Sequence, residues 1–406
     1  MTTLRALRSE LRARSGRGQT LPEKVARACL TPAYQFVQNR RARGLRYWQP
    51  VPQVRSGESV VLRAGVDCVD AHNHLGRWLH PNGEWTVKDV PELVGLMDSV
   101  GVAAIVNLDG RFGDELAANV QRYDAAYPGR FVTFCHLDWR ELAQPGFGER
   151  LADGVRRSAA QGAGGLKIWK DLGLSLRDHR GRLLRPDSPE LDPVWGAVVE
   201  TGLPVLIHTA DPPAFFQPLD RFNERLEELL KVGRSHGGGQ GRHAELLASL
   251  ERLVANHPAV SFIAAHMASN PEDLGWVDKM LSSHANLTVD MSASLASLGR
   301  QPRATRRLLV SHPGQVLFGS DRFPPDAPTY QTWFRFLETD DEAFPHSPFG
   351  SYIHGRWAIS GLDLPPNVLD AVYAANARRL MPALGEDRSA GKAGVSTEGD
   401  GTLSTP

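Results

Sequence analysis

Five residues of this 406-residue chain stand out among those whose side chains divalent transition metals favour: His72 and His74 in DAHNHLG, His208 in LIHTA, His266 in AAHMASN and Asp321 in LFGSDRF. Imidazole is a borderline ligand, so a set of histidines with one carboxylate suits zinc, manganese or iron better than magnesium or calcium. Two histidines at i and i+2 of a strand project to one side and can share an ion at Zn–N distances of about 2.0–2.1 Å. A His-x-His pair alone is a modest signal, because a strand histidine is more often a hydrogen-bonded core group. Three more ligand-type residues, each ending a later apolar run, make coincidence a poor account. A second set of polar and aromatic residues falls at or just past other run ends: Asp109, His136, Asp138, Arg140, Trp169, Lys170 and Arg322. Asp109 and Trp169 are candidates for touching a substrate. Arg140, Lys170 and Arg322 suit a substrate carboxylate, unless they are spent in surface ion pairs. Trp169, Phe215 and Phe216 offer an apolar wall or lid packing.

These residues need a scaffold that brings distant run ends together. Eight short apolar runs start at Val66, Val102, Phe131, Gly164, Leu203, Ser261, Asn286 and Val316. Between them lie segments with helical signals, such as Pro91 to Val100, Asp114 to Tyr127, Pro193 to Thr201, His243 to Asn256 and Pro271 to His284. Eight strand–helix units predict an α/β fold, a (β/α)8 TIM barrel over residues 65–382, rather than an open sheet. Strand alternation places Val69 and Ala71 against the helices, with Asp70, His72 and His74 inward. It also places Leu166, Ile168, Val205 and Ile207 outward and sends Lys167, Trp169 and His208 inward. His266 above Ala264, and Asp321 above Gly319, are expected to face the axis by the same parity. All the candidates then meet at the C-terminal face, where barrels of this kind carry their sites. Two long connections, 210–242 and 338–360, are expected to form lids, binding loops or oligomer contacts.

Composition narrows the class further. With 41% hydrophobic residues and 46 basic against 46 acidic side chains, the chain reads as a folded enzyme with no net charge. That balance argues against nucleic acid or an anionic membrane as its main partner. No run approaches the roughly 18 apolar residues needed to span a bilayer. Three cysteines, Cys29, Cys68 and Cys135, are too few for a disulfide framework. With no secretory signal legible, a cytoplasmic protein is expected. Residues 1–64 are arginine-rich and read as an N-terminal arm, and residues 383–406, small and polar, as a disordered tail.

DAHNHLG, LIHTA, AAHMASN and LFGSDRF, in that order and at those strands, resemble the amidohydrolase superfamily, in particular its amidohydrolase 2 (amidohydrolase-related) branch. The resemblance covers residues 66–382 and omits the arm and the two long loops. It implies a metal-dependent hydrolase or nonoxidative decarboxylase. In that family's pattern His72 and His74 are first-strand ligands, His208 the fifth-strand ligand, and Asp321 the eighth-strand ligand and proton shuttle. His266 matches a histidine that binds a second metal or acts on substrate and water. Lys167 matches the position at which binuclear members carry a carbamylated, metal-bridging lysine, although an inward lysine can equally pair with Asp70 or Asp109.

Our expectation from these observations is a metal-dependent hydrolase of a small molecule, an amide, a lactone or another ester. Asp321 would act as general base on a metal-activated water. The alternative is nonoxidative decarboxylation of an aromatic or unsaturated acid, motivated by the three basic candidates. Zinc is the expected ion, with manganese or iron as substitutes. One ion is expected, or two if Lys167 is carbamylated. The expected partner is a small-molecule substrate, with a homodimer suggested only by the resemblance and by apolar loop residues.

Overall fold

The structure, a computed structural model, describes residues 57–80, 82–237, 239–349 and 354–385. The expected arm lies outside these residues up to position 56, and the expected disordered tail does so from position 386. Eight parallel strands run in sequential order: β1 (Cys68–Asn73), β2 (Val102–Asn107), β3 (Phe131–His136), β4 (Gly165–Ile168), β5 (Val205–Ile207), β6 (Phe262–Ala264), β7 (Leu287–Asp290) and β8 (Val316–Leu317). Each pairs with the next. Between β8 and β1 the ring is drawn shut by two backbone bonds. Ala71 N–H donates to the Phe318 carbonyl at 3.0 Å, and Asp321 N–H donates to that of His72 at 2.9 Å. The result is the expected (β/α)8 barrel.

The helices begin and end where local chemistry dictates. Asp89 caps the helix Val90–Val100 by accepting from Glu92 N–H, and Gly101 ends it in the left-handed conformation at φ 81°. Asp273 and Asp326 cap later helices in the same way. Strand residues Leu166, Ile168, Val205, Ile207, Phe262 and Val289 pack outward against helix residues such as Leu151, Trp195, Leu253 and Val277. A second cluster fills the interior: Val106, Phe134, Leu206, Ile263 and Leu317, sealed by Ala377, Met381 and Leu384 from the C-terminal end of the described chain. Leu384 is buried in the helical turn Pro382–Leu384.

Simple alternation fails in β1 and β6. Val69 and Ala71 belong to the interior cluster, not to the helix-facing layer. Asp70 points the other way and accepts hydrogen bonds from Tyr330 Oη (2.8 Å), Ser320 N–H (2.9 Å), Ser320 Oγ (2.5 Å) and Asn73 Nδ2 (2.9 Å). The β1–β2 register is irregular at two places, between Cys68 and Val69 and between Asp70 and Asn73, so facing does not follow a simple count along the strand. Ala264 likewise faces the helices while Ile263 and Ala265 fill the interior. Pairing of Lys167 with Asp70 is therefore ruled out by direction, since Asp70 lies on the Tyr330 side of β1.

The described residues of both long connections include ordered elements. Segment 210–242 carries the helix Leu226–Val232 and a small core of Phe215, Phe216, Leu229 and Leu246. Segment 338–360 contains a two-stranded antiparallel hairpin, β9 (Phe344–Pro345) with β10 (Ala358–Ile359). Arg356 Nε pairs with Glu227 at 2.9 Å, joining the two segments. No helix among the described residues is long and apolar enough to cross a membrane.

Where β8 meets β1 there is no room for a side chain at Gly319: an added Cβ would lie 2.8 Å from His72 Cβ and 3.2 Å from Ser292 Cβ. Gly319→Ala is expected to destabilise the fold by about 1–3 kcal/mol in urea titrations. Gly314→Ala, with nothing within 4 Å of the added atom, should stay within about 0.5 kcal/mol of the parent. Equal effects at both glycines would contradict this account of the seam.

Candidate active site

Two of the candidate residues reach the barrel mouth through strained backbone. His266 has φ 57°, and Met267, Ala268 and Ser269 follow it in the left-handed region, while Asp321 has φ 53°. Such conformations cost roughly 1–2 kcal/mol per non-glycine residue and concentrate at functional sites. They also explain why His266 faces the opening although the residues before it do not follow the expected parity. Its N–H donates to Asp290 Oδ1 at 3.0 Å, which holds the turn in place.

At the mouth the nitrogens of His72 and His74 converge on one carboxylate. Asp321 Oδ1 lies 3.4 Å from His74 Nε2 and 3.9 Å from His72 Nε2. One donor atom from each residue falls within 4.8 Å of the others, a spacing a single ion can bridge. Behind this set stands a support layer. Asp290 Oδ2 is 2.8 Å from His72 Nδ1, and Ser292 Oγ is 3.0 Å from the same nitrogen, 2.9 Å from His266 Nδ1 and 2.5 Å from Asp290 Oδ1. His72, His266 and Asp290 also form a close donor group. Its atoms are already joined by hydrogen bonds, so it reads as the layer that orients ligands.

The electrostatics suit metal binding. Burial pulls the His72 imidazole down to about 3, assisted by Lys167, so it is neutral and keeps a lone pair for an ion. Burial would raise Asp321, but His72, His74 and His266 outweigh it and hold the carboxyl below its usual range. Asp290 is treated likewise: burial raises it, and the neighbouring His72 lowers it further than burial can offset. His74 Nδ1 and both carboxylate oxygens of Asp109 are buried with no hydrogen-bond partner, although the two groups stand 3.7 Å apart. These orphaned atoms and the converging donors fit a divalent cation, which would draw His74 and its carboxylate into register.

Other sequence candidates are placed less simply. His208 is buried beside His266, ring centroids 4.4 Å apart, but its Nε2 hydrogen bonds to the Ala210 carbonyl at 3.0 Å. It stands at the site without joining the close donor group. Lys167 Nζ is buried 3.4 Å from His72 Nε2, and burial lowers it to about 8. Trp169 lies 5.1 Å from the His74 ring and is joined there by Phe323 and Trp78, which the sequence reading missed.

The proposed carboxylate clamp is not assembled. Lys170 is bound to Asp211 at 2.6 Å, Arg322 to Asp326 at 2.5 Å, and Arg140 to Asp138 at 2.5 Å with its side chain 79% exposed. Each is committed to a carboxylate of its own chain. Asp109 faces His74 from behind rather than the opening, and Phe215 and Phe216 are core of the 210–242 segment. Beside Asp321 opens a cleft of about 290 Å³, walled by Trp333, His346, Phe349 and His354. His354 comes from the long 338–360 segment, which carried no readable motif.

The amidohydrolase family model, Amidohydro_2, matches residues 69–382. The chain belongs to this amidohydrolase family. No curated protein matches it. Among solved structures, a 2,6-dihydroxybenzoate decarboxylase from Rhizobium is similar with TM-score 0.51 and 16% identity, over 79% of this chain and 100% of its own. A dihydroxybenzoic acid decarboxylase from a Polaromonas species, solved with manganese and the inhibitor 2-nitroresorcinol, has TM-score 0.50 and 15% identity, over 78% and 97%. At such identities the likeness is one of fold.

Several buried imidazoles of this family member are held neutral, which has a consequence in acid. His136 is lowered to about 4, chiefly by burial, alongside His72 at about 3 and His208 well below its usual value. Below about pH 6.5 the unfolded chain binds protons at these positions and the folded chain does not. Stability must therefore fall as pH falls from about 6.5 toward these folded values. Each histidine contributes up to about 1.4 kcal/mol per pH unit. Urea unfolding of chelator-treated protein at pH 7, 6 and 5 should show a steep loss, and a flat profile would count against this charge assignment.

Proposed function

We propose that this amidohydrolase-family enzyme is a metal-dependent hydrolase of a small amide, lactone or other ester. The observation that carries the reading is Asp321, an ionised carboxylate 3.4 Å from His74 Nε2 at the open end of the barrel. His72, His74 and Asp321 would hold the ion, with His208 completing the set once its imidazole turns from Ala210. When bound, zinc or a similar ion polarises the scissile carbonyl and lowers the pKa of water.

Asp321 takes the proton of the attacking water and returns it to the leaving group. His266 is held on its Nδ1 side by Ser292, which leaves Nε2 as the atom it presents to substrate. Trp169, Trp78 and Phe323 exclude water from one side of His74. The hydrogen-bonded state of His72, His266 and Asp290 supports one ion rather than two.

Decarboxylation of an aromatic acid is the second reading. The aromatic lining around His74 favours it, and two solved proteins of the same fold are named for it. The reading needs a substrate carboxylate held at the metal. The pairing of Lys170, Arg322 and Arg140 with their own carboxylates removes the cations proposed for that purpose. Assays of a lactone and amide panel should show hydrolysis, with no carbon dioxide released from hydroxybenzoates. The reverse result would replace hydrolysis with decarboxylation.

Two sets of variants test the site. His74→Ala should lose metal and activity together, while Asp321→Asn should lower turnover by at least about a hundredfold even where metal remains. Full activity in Asp321→Asn would refute the proton-transfer role. Lys167→Ala should leave metal per chain, measured by elemental analysis, at one. A fall from two to one would instead establish a carbamylated, bridging Lys167.

A further inference from the structure

The aromatic side of the mouth ends on a cation that neither the sequence reading nor the chemistry above uses. Arg111 follows β2 and adopts φ 59°, a left-handed conformation that a bulky residue holds only when its surroundings enforce it. Its guanidinium lies 4.8 Å from the centroid of the Trp78 ring and 5.0 Å from that of Phe112. No carboxylate among the described residues pairs with it, in contrast to Arg140, Lys170 and Arg322. Stacking fixes the plane of the group, and although Asp109 and Asp138 attract it from beyond ion-pair distance, no carboxylate among the described residues hydrogen bonds to its N–H edge.

A continuous path of rings connects this cation to the metal-ligand candidates. Trp78 stands 4.7 Å from Trp169, and Trp169 stands 5.1 Å from His74. Next to the path is His136, buried, 5.2 Å from Trp78 ring to ring, whose backbone N–H donates to the Arg111 carbonyl at 2.8 Å. His136 Nε2 is spent on the Leu108 carbonyl at 2.7 Å, and its Nδ1 has no partner. The wall thus combines a fixed guanidinium, an apolar surface and an orphaned, buried polar atom. Those are the parts of a site for a ligand with an apolar body and an anionic end.

We propose that Arg111 is a specificity residue that binds the carboxylate of an anionic substrate, at the end of that substrate remote from the metal. The proposal rests on the functional reading above for the identity of the other end. It places the substrate body along Trp78 and Trp169, with the group to be cleaved over His74 and Asp321. It also distinguishes a carboxylate that is recognised from one that is removed, since the cation sits two aromatic rings away from the ligands.

The test uses benzoate and its neutral counterpart benzamide as probes on the full chain, titrated by calorimetry with and without zinc. Wild-type protein should prefer benzoate, and Arg111→Asn should lower the benzoate-to-benzamide affinity ratio by about tenfold or more. Asparagine tolerates the left-handed backbone, and a ratio taken within one protein is insensitive to a partly unfolded fraction. Arg111→Lys, which keeps the charge but not the planar fork, should retain part of the preference. The change should persist in chelator-treated protein, because Arg111 is not a ligand. Failure of the wild-type protein to bind zinc would therefore overturn the hydrolase reading and leave this one standing. A ratio unchanged in Arg111→Asn, with only a lower unfolding midpoint, would overturn it and make Arg111 a strut between the loops after β1 and β2.

Discussion

The contact between Asp290 Oδ2 and His72 Nδ1, 2.8 Å long and fully buried, sets the orientation of the mouth. It directs the other His72 nitrogen toward Asp321, and Asp290 Oδ1 at the same time receives the N–H of His266 and the hydroxyl of Ser292. One carboxylate at the end of β7 thus fixes residues delivered by β1, by the turn after β6 and by its own strand. The charge is tolerated in the interior because both oxygens are hydrogen-bonded, which is what burial of an ion demands. Its replacement by a neutral group would leave three donors facing one another.

Legibility in the sequence followed the size of the signal. Eight apolar runs at regular spacing are enough to define the barrel, since no other arrangement buries so many parallel strands on both faces. The ligand-type residues His72, His74, His266 and Asp321 were readable because each ends a run. Their facing was not derivable by counting: the register shift in β1 and the left-handed turn after β6 reverse parity without any mark in residue type. Arg140, Lys170 and Arg322 looked alike from sequence as cations past strand ends. Their partners Asp138, Asp211 and Asp326 lie 2, 41 and 4 residues away, and the middle one becomes visible only in three dimensions.

Aromatic and ionic walls divide the opening between them. On the β1 to β4 side, Trp78 and Trp169 stand by His74, met there by Phe323 from the loop after β8. On the β7 to β8 side, the cleft next to Asp321 is lined in part by His346, Phe349 and His354 of the 338–360 segment, which is tied to 210–242 through Arg356 and Glu227. Insertions of this kind diversify a barrel without disturbing its core, because loops at the C-terminal face carry specificity while strands carry stability.

The interior of the barrel is plugged from below by Ala377, Met381 and Leu384, which pack with Val69 and Ala71 of β1. Residues made early in synthesis therefore wait for residues made more than three hundred positions later. A ribosome-bound chain lacking its last helical turn would hold a ring of apolar side chains, Val69 and Ala71 of β1 and Leu317 of β8 among them, open to water. Such a chain is a substrate for chaperones and a hazard for aggregation. The assembly of the mouth, which draws on both of those strands, is in this sense timed by the arrival of a segment that never touches it.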